Sequence, residues 1–161
     1  MPFTAAERAA LIERYARGPA TLKAALTRVP REALQWRPAP KRWSAHEIIV
    51  HCADSETNAY SRLRFLLAEP KPVIQGYDQD RWASVLRYVE APLDLALAQL
   101  RGLRTANLRL WRTLTPEQRN RAGLHSERGP ESVELTLRMM AGHDLVHRQQ
   151  IDRILGGASG R

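Results

Sequence analysis

Apolar positions along the 161-residue chain recur mainly at helical intervals. Thr4-Ala5-Ala6-Glu7 has the form of a capping box, with the threonine accepting from an early amide and the glutamate reaching back. Leu11, Tyr15, Leu22, Leu26 and Val29 follow at mostly helical spacing. Gly18-Pro19 interrupts this first helix and predicts a kink or break, because proline removes a backbone donor and crowds the preceding turn. Pro30 to Arg42 reads as a loop. Ser44-Ala45-His46-Glu47 is a second capping box and opens a helix through about Ala68, stopped by Glu69-Pro70-Lys71-Pro72. The segment to Ala91 is irregular, with one short helix expected around Arg81 to Val89.

A third long helix begins with Pro92 in its first turn and carries Leu93, Leu97, Leu100, Leu103, Leu108, Trp111 and Leu114. Thr115-Pro116-Glu117-Gln118 starts a short turn or helix, and Gly123 to Pro130 reads as a loop. The fourth long helix runs from about Ser132 to Leu155, with Gly156-Gly157 as its expected left-handed stop. No stretch shows sustained strand alternation. The pattern predicts an all-α fold, a single four-helix-bundle domain over residues 1–161. The link between the second and third long helices is long enough to cross the bundle, so those two helices can run parallel.

Composition narrows the class. At this length about two-thirds of the chain's surface is buried on folding, so the core needs no disulfide, and Cys52 is the only cysteine. No apolar run approaches the roughly 20 residues that span a bilayer. Charges in the first fifteen residues are unlike a signal peptide, and the expected setting is the cytoplasm, without a membrane partner. The net charge of +8 raises the question of nucleic acid. Its arginines are scattered over every helix, however, with no basic run or aromatic-interleaved stripe, so no nucleic-acid partner is expected.

The candidate chemistry lies in Gly142-His143-Asp144-Leu145-Val146-His147-Arg148-Gln149-Gln150. With His143 at the origin of a helical wheel, His147 falls at about 40°, inside the stripe formed by Thr136, Met140, Ile151 and Ile154. Histidines four residues apart present two imidazoles on one face, which suits a divalent metal. On spacing alone the pair reads equally as hydrogen-bonded core histidines. Asp144 stands where a zincin-type protease would carry glutamate, which disfavours that class. A third ligand is available on the second helix, where His51 lies at the edge of the stripe of Ile48, Cys52, Ala59, Leu63 and Leu66, flanked by Glu47, Asp54 and Asn58. Three neutral imidazoles leave positions open for water or substrate, the pattern of a catalytic site.

The segment Trp43 to Glu56, with its tryptophan, helix cap and His51-Cys52-Ala53-Asp54, resembles the start of the second helix in the DinB-like superfamily. Ala141 to Ile151, a histidine pair followed by Gln-Ile, resembles that family's C-terminal signature, and Gly18-Pro19 and Gly129-Pro130 are similar to its turns. The resemblance implies a four-helix bundle with a long crossover, commonly a homodimer. It also implies a divalent metal, most often nickel or zinc, held by His51, His143 and His147. The family includes proteins described as metal-dependent hydrolases, and transferases or isomerases that use low-molecular-weight thiols.

The remaining polar residues have two readings each. Asp54 is a candidate base or an orienting partner for His51; Asp144 either supports His143 or pairs across to another helix; Gln150 sits one turn from His147, in hydrogen-bonding range of the pocket. His46 is expected on the exposed first turn, outside the metal set, and His125 in a solvated loop. Cys52 reads as a small core residue, and Trp43 as packing beside the pocket. The expected function is a metal-dependent enzyme acting on a small molecule. Its nucleophile is a low-molecular-weight thiol, giving S-transfer or isomerisation, or water, giving hydrolysis. A non-catalytic metal- or ligand-binding protein of stress response is the alternative.

Overall fold

The computed structural model describes residues 3–158. Four long helices dominate: α1 (Ala5–Thr27), α2 (Ala45–Ala68), α4 (Leu93–Thr113) and α6 (Val133–Ala158). Both expected capping boxes form, with Thr4 accepting from the Glu7 amide and Ser44 from the Glu47 amide. The crossover carries a two-residue strand, β1 (Val73–Ile74), the short helix α3 (Gln79–Val85) and a 3-10 turn at Tyr88–Glu90. The short helix thus ends earlier than expected, at Val85, and Arg87, two residues on, takes a left-handed conformation (φ 53°). The one-turn helix α5 (Pro116–Arg119) starts with its own capping box.

Side-chain pairs set the helix directions. Thr57, Glu56 and Arg64 of α2 bond Gln99, Arg104 and Asn107 of α4 respectively, so these neighbours run parallel. Arg8 pairs with Glu134 and Arg28 with Asp152, so α1 and α6 are also parallel. Glu13 reaches Arg112 and, further along α1, the Tyr15 carbonyl meets Arg104, so α1 and α4 are antiparallel. The long crossover makes this possible by returning the chain along the bundle before α4 begins.

Several local expectations are revised. Gly123 to Pro130 is not a loop: β2 (Ala122–His125) and β3 (Gly129–Ser132) form a hairpin, with β1 parallel to β2. These strands lack apolar alternation; backbone pairing makes them, and Gly129 supplies the left-handed turn residue (φ 79°). His125 is therefore a buried strand residue rather than a solvated one, and its Nδ1 accepts from the amides of Glu127 and Arg128. His46 is buried as well, its Nε2 bonded to the Ala91 carbonyl at 2.8 Å, because the crossover folds back over the first turn of α2. Gly156-Gly157 does not stop α6, which continues to Ala158.

Helix α1 is not broken at Pro19. Proline leaves the carbonyl four residues earlier, that of Tyr15, without its helical donor. Arg104 supplies the missing bond from α4, Nη1 to the Tyr15 oxygen at 2.6 Å. Gly18 makes room for it, since a Cβ there would overlap the Asp144 carboxylate and the Arg104 guanidinium.

Two apolar clusters fill the bundle. One gathers Leu22, Leu26, Ile48, Ile49, Leu100, Ile151 and Ile154. The other gathers Tyr15, Leu63, Leu66, Trp111, Val133 and Leu137 towards the opposite end. Between them lies a buried polar layer that includes His51, Glu56, Arg104, Asn107, Asp144 and His147. The candidate site occupies this layer.

Candidate metal centre

Helix α6 places His143 and His147 one turn apart, and the antiparallel α2 brings His51 to them. The Nε2 atoms of His51 and His147 each lie 3.1 Å from that of His143. Ligand nitrogens bound at about 2.0–2.1 Å to one ion stand about 2.9–3.4 Å apart for angles between octahedral and tetrahedral, so the spacing fits a shared divalent cation. His51, His143 and His147 together offer ligand atoms within 4.8 Å of one another.

Protonation favours the same reading. Burial first, then the other two rings, push the His51 pKa down to about 2. Burial and His143 lower that of His147 to about 4, against a small opposing effect of Gln150. Both rings are neutral near pH 7, as ligands must be. His147 Nδ1–H donates to Gln150 Oε1 at 2.8 Å, which leaves the Nε2 lone pair aimed at the cluster. Trp43 packs on two of the rings, 4.5 Å from His51 and nearly parallel to His147 at 6.3 Å.

Ser55 touches His51 Nε2 at 3.2 Å and the Tyr77 hydroxyl at 2.8 Å, bringing a crossover residue to the cluster. Asp144 pairs across to α4, its Oδ2 taking a bond of 2.6 Å from Arg104. Its other oxygen lies 3.8 Å from His143 Nδ1, and neither atom has a hydrogen-bond partner among the described residues. Burial works to raise the Asp144 pKa, but His143 and Arg104 hold it below the ordinary carboxylate value. Asp54 Oδ2 accepts from the hydroxyl of Tyr88, a crossover residue, at 2.6 Å.

Cys52, His143 and Asp144 also offer ligand atoms within 4.8 Å of one another. Burial raises the Cys52 thiol well above its ordinary pKa, however, and a protonated thiol is a poor ligand. The three imidazoles are the better donor set.

Sequence reasoning missed Arg104 and Tyr77. Arg104 and Asn107 had a signal: with Leu97, Leu100 and Trp111 they continue an apolar stripe at three- and four-residue steps, so both occupy core positions. Tyr77 sits in irregular chain, where no periodicity marks it.

The comparisons agree with the fold. Residues 14–151 match the model of the DinB superfamily. A protein of Oceanobacillus iheyensis named "putative metal-dependent hydrolase" is 33% identical over 109 residues, covering 68% of this chain and 63% of that protein. One of the same name from Halalkalibacterium halodurans is 30% identical over 111 residues, covering 67% and 64%. The chain thus spans just under two-thirds of the length of these relatives. The solved structure of YfiT from Bacillus subtilis, described as "a probable metal-dependent hydrolase with an unusual four-helix bundle topology", superposes with a TM-score of 0.86. It is 26% identical and covers 96% of this chain and 91% of its own. A mycothiol-dependent maleylpyruvate isomerase shares the fold at a TM-score of 0.69 and 13% identity, covering 88% of this chain and 59% of its own. With its bundle topology and both histidine motifs in place, the chain belongs to the DinB superfamily.

Proposed function

We propose that this protein is a metal-dependent enzyme acting on a small molecule, with a divalent metal, nickel or zinc, held by His51, His143 and His147. The observation that carries the reading is the convergence of three Nε2 atoms from two helices on one point, two of them on rings kept neutral by burial. A divalent cation there supplies a Lewis acid that lowers the pKa of a water or thiol ligand towards neutrality. Gln150 fixes the His147 tautomer, and Trp43 covers the rings of His51 and His147. Asp54 is the proposed proton acceptor, with Tyr88 bonded to one of its oxygens and the other free among the described residues. Water as nucleophile makes the reaction a hydrolysis, the activity named for the bacterial relatives. A low-molecular-weight thiol makes it an S-transfer or isomerisation, as in the isomerase of the same fold.

Elemental analysis of the purified protein and of His51→Ala, His143→Ala and His147→Ala tests the metal assignment. About one metal per chain in the parent, lost in each variant, is the expected result. Metal content that survives loss of both His143 and His147 overturns it. Turnover of a panel of esters, amides and electrophiles, with and without added thiol, then decides between the two nucleophiles. Turnover unchanged by metal stripping refutes both.

A further inference from the structure

A cleft of about 420 Å³ opens beside the histidine cluster and is lined by His147 and Trp43. Its composition is divided. Trp43, Ile48 and Ile154 make an apolar wall, while Lys41, Arg42 and Arg153 stand on the same lining with a single carboxylate, Asp80. Lys41 and Arg42 are exposed, and neither side chain has a hydrogen-bond or ion-pair partner among the described residues. Arg153 uses only its Nε, on the Gln149 carbonyl at 3.2 Å. The backbone also departs from the ordinary here. Lys41 is left-handed at φ 61°, one of two such non-glycine residues among those described, in a tight turn closed by the Arg42 amide on the Ala39 carbonyl. Bulky residues rarely adopt this conformation, and it holds two adjacent cations at the cleft.

From this arrangement we infer that the cleft is the substrate-binding site and selects small organic anions. A carboxylate is held by Lys41, Arg42 and Arg153, and an apolar or aromatic body lies along Trp43, Ile48 and Ile154 with its far end at His147. The chemical meaning of that placement rests on the metal-centre reading, but binding of the anion does not. An uncharged molecule of the same shape gains the apolar wall alone. The excess cationic field also raises the local concentration of anions at the mouth.

Calorimetric titration with 4-phenylbutyrate and its uncharged amide, on metal-free and zinc-loaded protein, tests the inference. The carboxylate is expected to bind both forms, and the amide about tenfold or more weaker. The triple variant Lys41→Gln/Arg42→Gln/Arg153→Gln is expected to lose about tenfold for the carboxylate and nothing for the amide, which also shows that its cleft is intact. Raising salt from about 0.05 M to about 0.5 M weakens only the carboxylate. Equal affinity for the two probes, an unchanged triple variant, or no binding of either overturns the proposal. Binding confined to the zinc form and indifferent to the triple substitution also overturns it, by assigning the anion to the metal. Metal content measured on the same samples separates the two readings: loss of the metal assignment with charge-selective binding intact refutes only the catalytic function.

Discussion

Replacing Arg104 with leucine tests the polar layer directly. The guanidinium is 2% exposed and ties three other helices to α4. It donates to Glu56 Oε2 at 3.0 Å, to Asp144 Oδ2 at 2.6 Å and to the Tyr15 carbonyl at 2.6 Å, and it lies 3.9 Å from the centre of the Tyr15 ring. Burial disfavours its charge, yet the two carboxylates outweigh that and raise its pKa. Leucine leaves both carboxylates buried without their cation, which costs about 3–5 kcal/mol. The unsatisfied Tyr15 carbonyl adds about 1–3 kcal/mol. Against a total stability of roughly 5–15 kcal/mol, the variant is close to unfolding.

Urea denaturation of the metal-free proteins, followed by circular dichroism, measures the loss. Two internal checks follow from the geometry. In Pro19→Ala the new amide can reach the Tyr15 carbonyl, so that substitution stabilises the Arg104→Leu protein by about 1 kcal/mol more than it does the parent. The stranded carboxylates take up protons on folding, so the deficit shrinks as the pH falls from about 7 to about 5. A loss below about 1 kcal/mol, or a strictly additive cycle with Pro19→Ala, refutes this account of the layer.

Four further outcomes are expected. Gly18→Ala destabilises by about 1–3 kcal/mol through overlap with Asp144 and Arg104. Gly102→Ala, in open space within α4, stabilises by about 0.5–1 kcal/mol in the same urea titrations, so a common sign for the two contradicts the packing. The metal-free protein loses stability as the pH falls below the unfolded histidine value of 6.5, because the unfolded chain binds protons that buried His51 and His147 refuse. The slope approaches about 1.4 kcal/mol per pH unit for each histidine and vanishes above about pH 7; a flat urea midpoint between about pH 6.5 and 5 counts against buried neutral rings. Gln150→Ala weakens metal affinity about tenfold in a chelator competition by releasing His147 Nδ1, and unaltered affinity removes Gln150 from any supporting role.

What the sequence determined alone is what neighbouring residues decide among themselves. Both capping boxes close over three residues, and the spacing of His143 and His147 sets two imidazoles on one helical face whatever surrounds them. The stripes of α1, α2, α4 and α6 announced four helices, and the motif around His51 named its partner helix. The tertiary structure decided everything whose partner lies far along the chain. Pro19 predicted a kink or break, but the bond that keeps α1 continuous comes from Arg104, 89 residues beyond Tyr15. His46 and His125 looked solvated because the Ala91 carbonyl and the β2–β3 hairpin that bury them leave no local mark. Asp144 found Arg104 and Asp54 found Tyr88 only when helices and crossover packed. Local propensity and periodicity act over one or two turns of chain, whereas the desolvation that makes a histidine neutral or an arginine structural arises only when distant segments exclude water together.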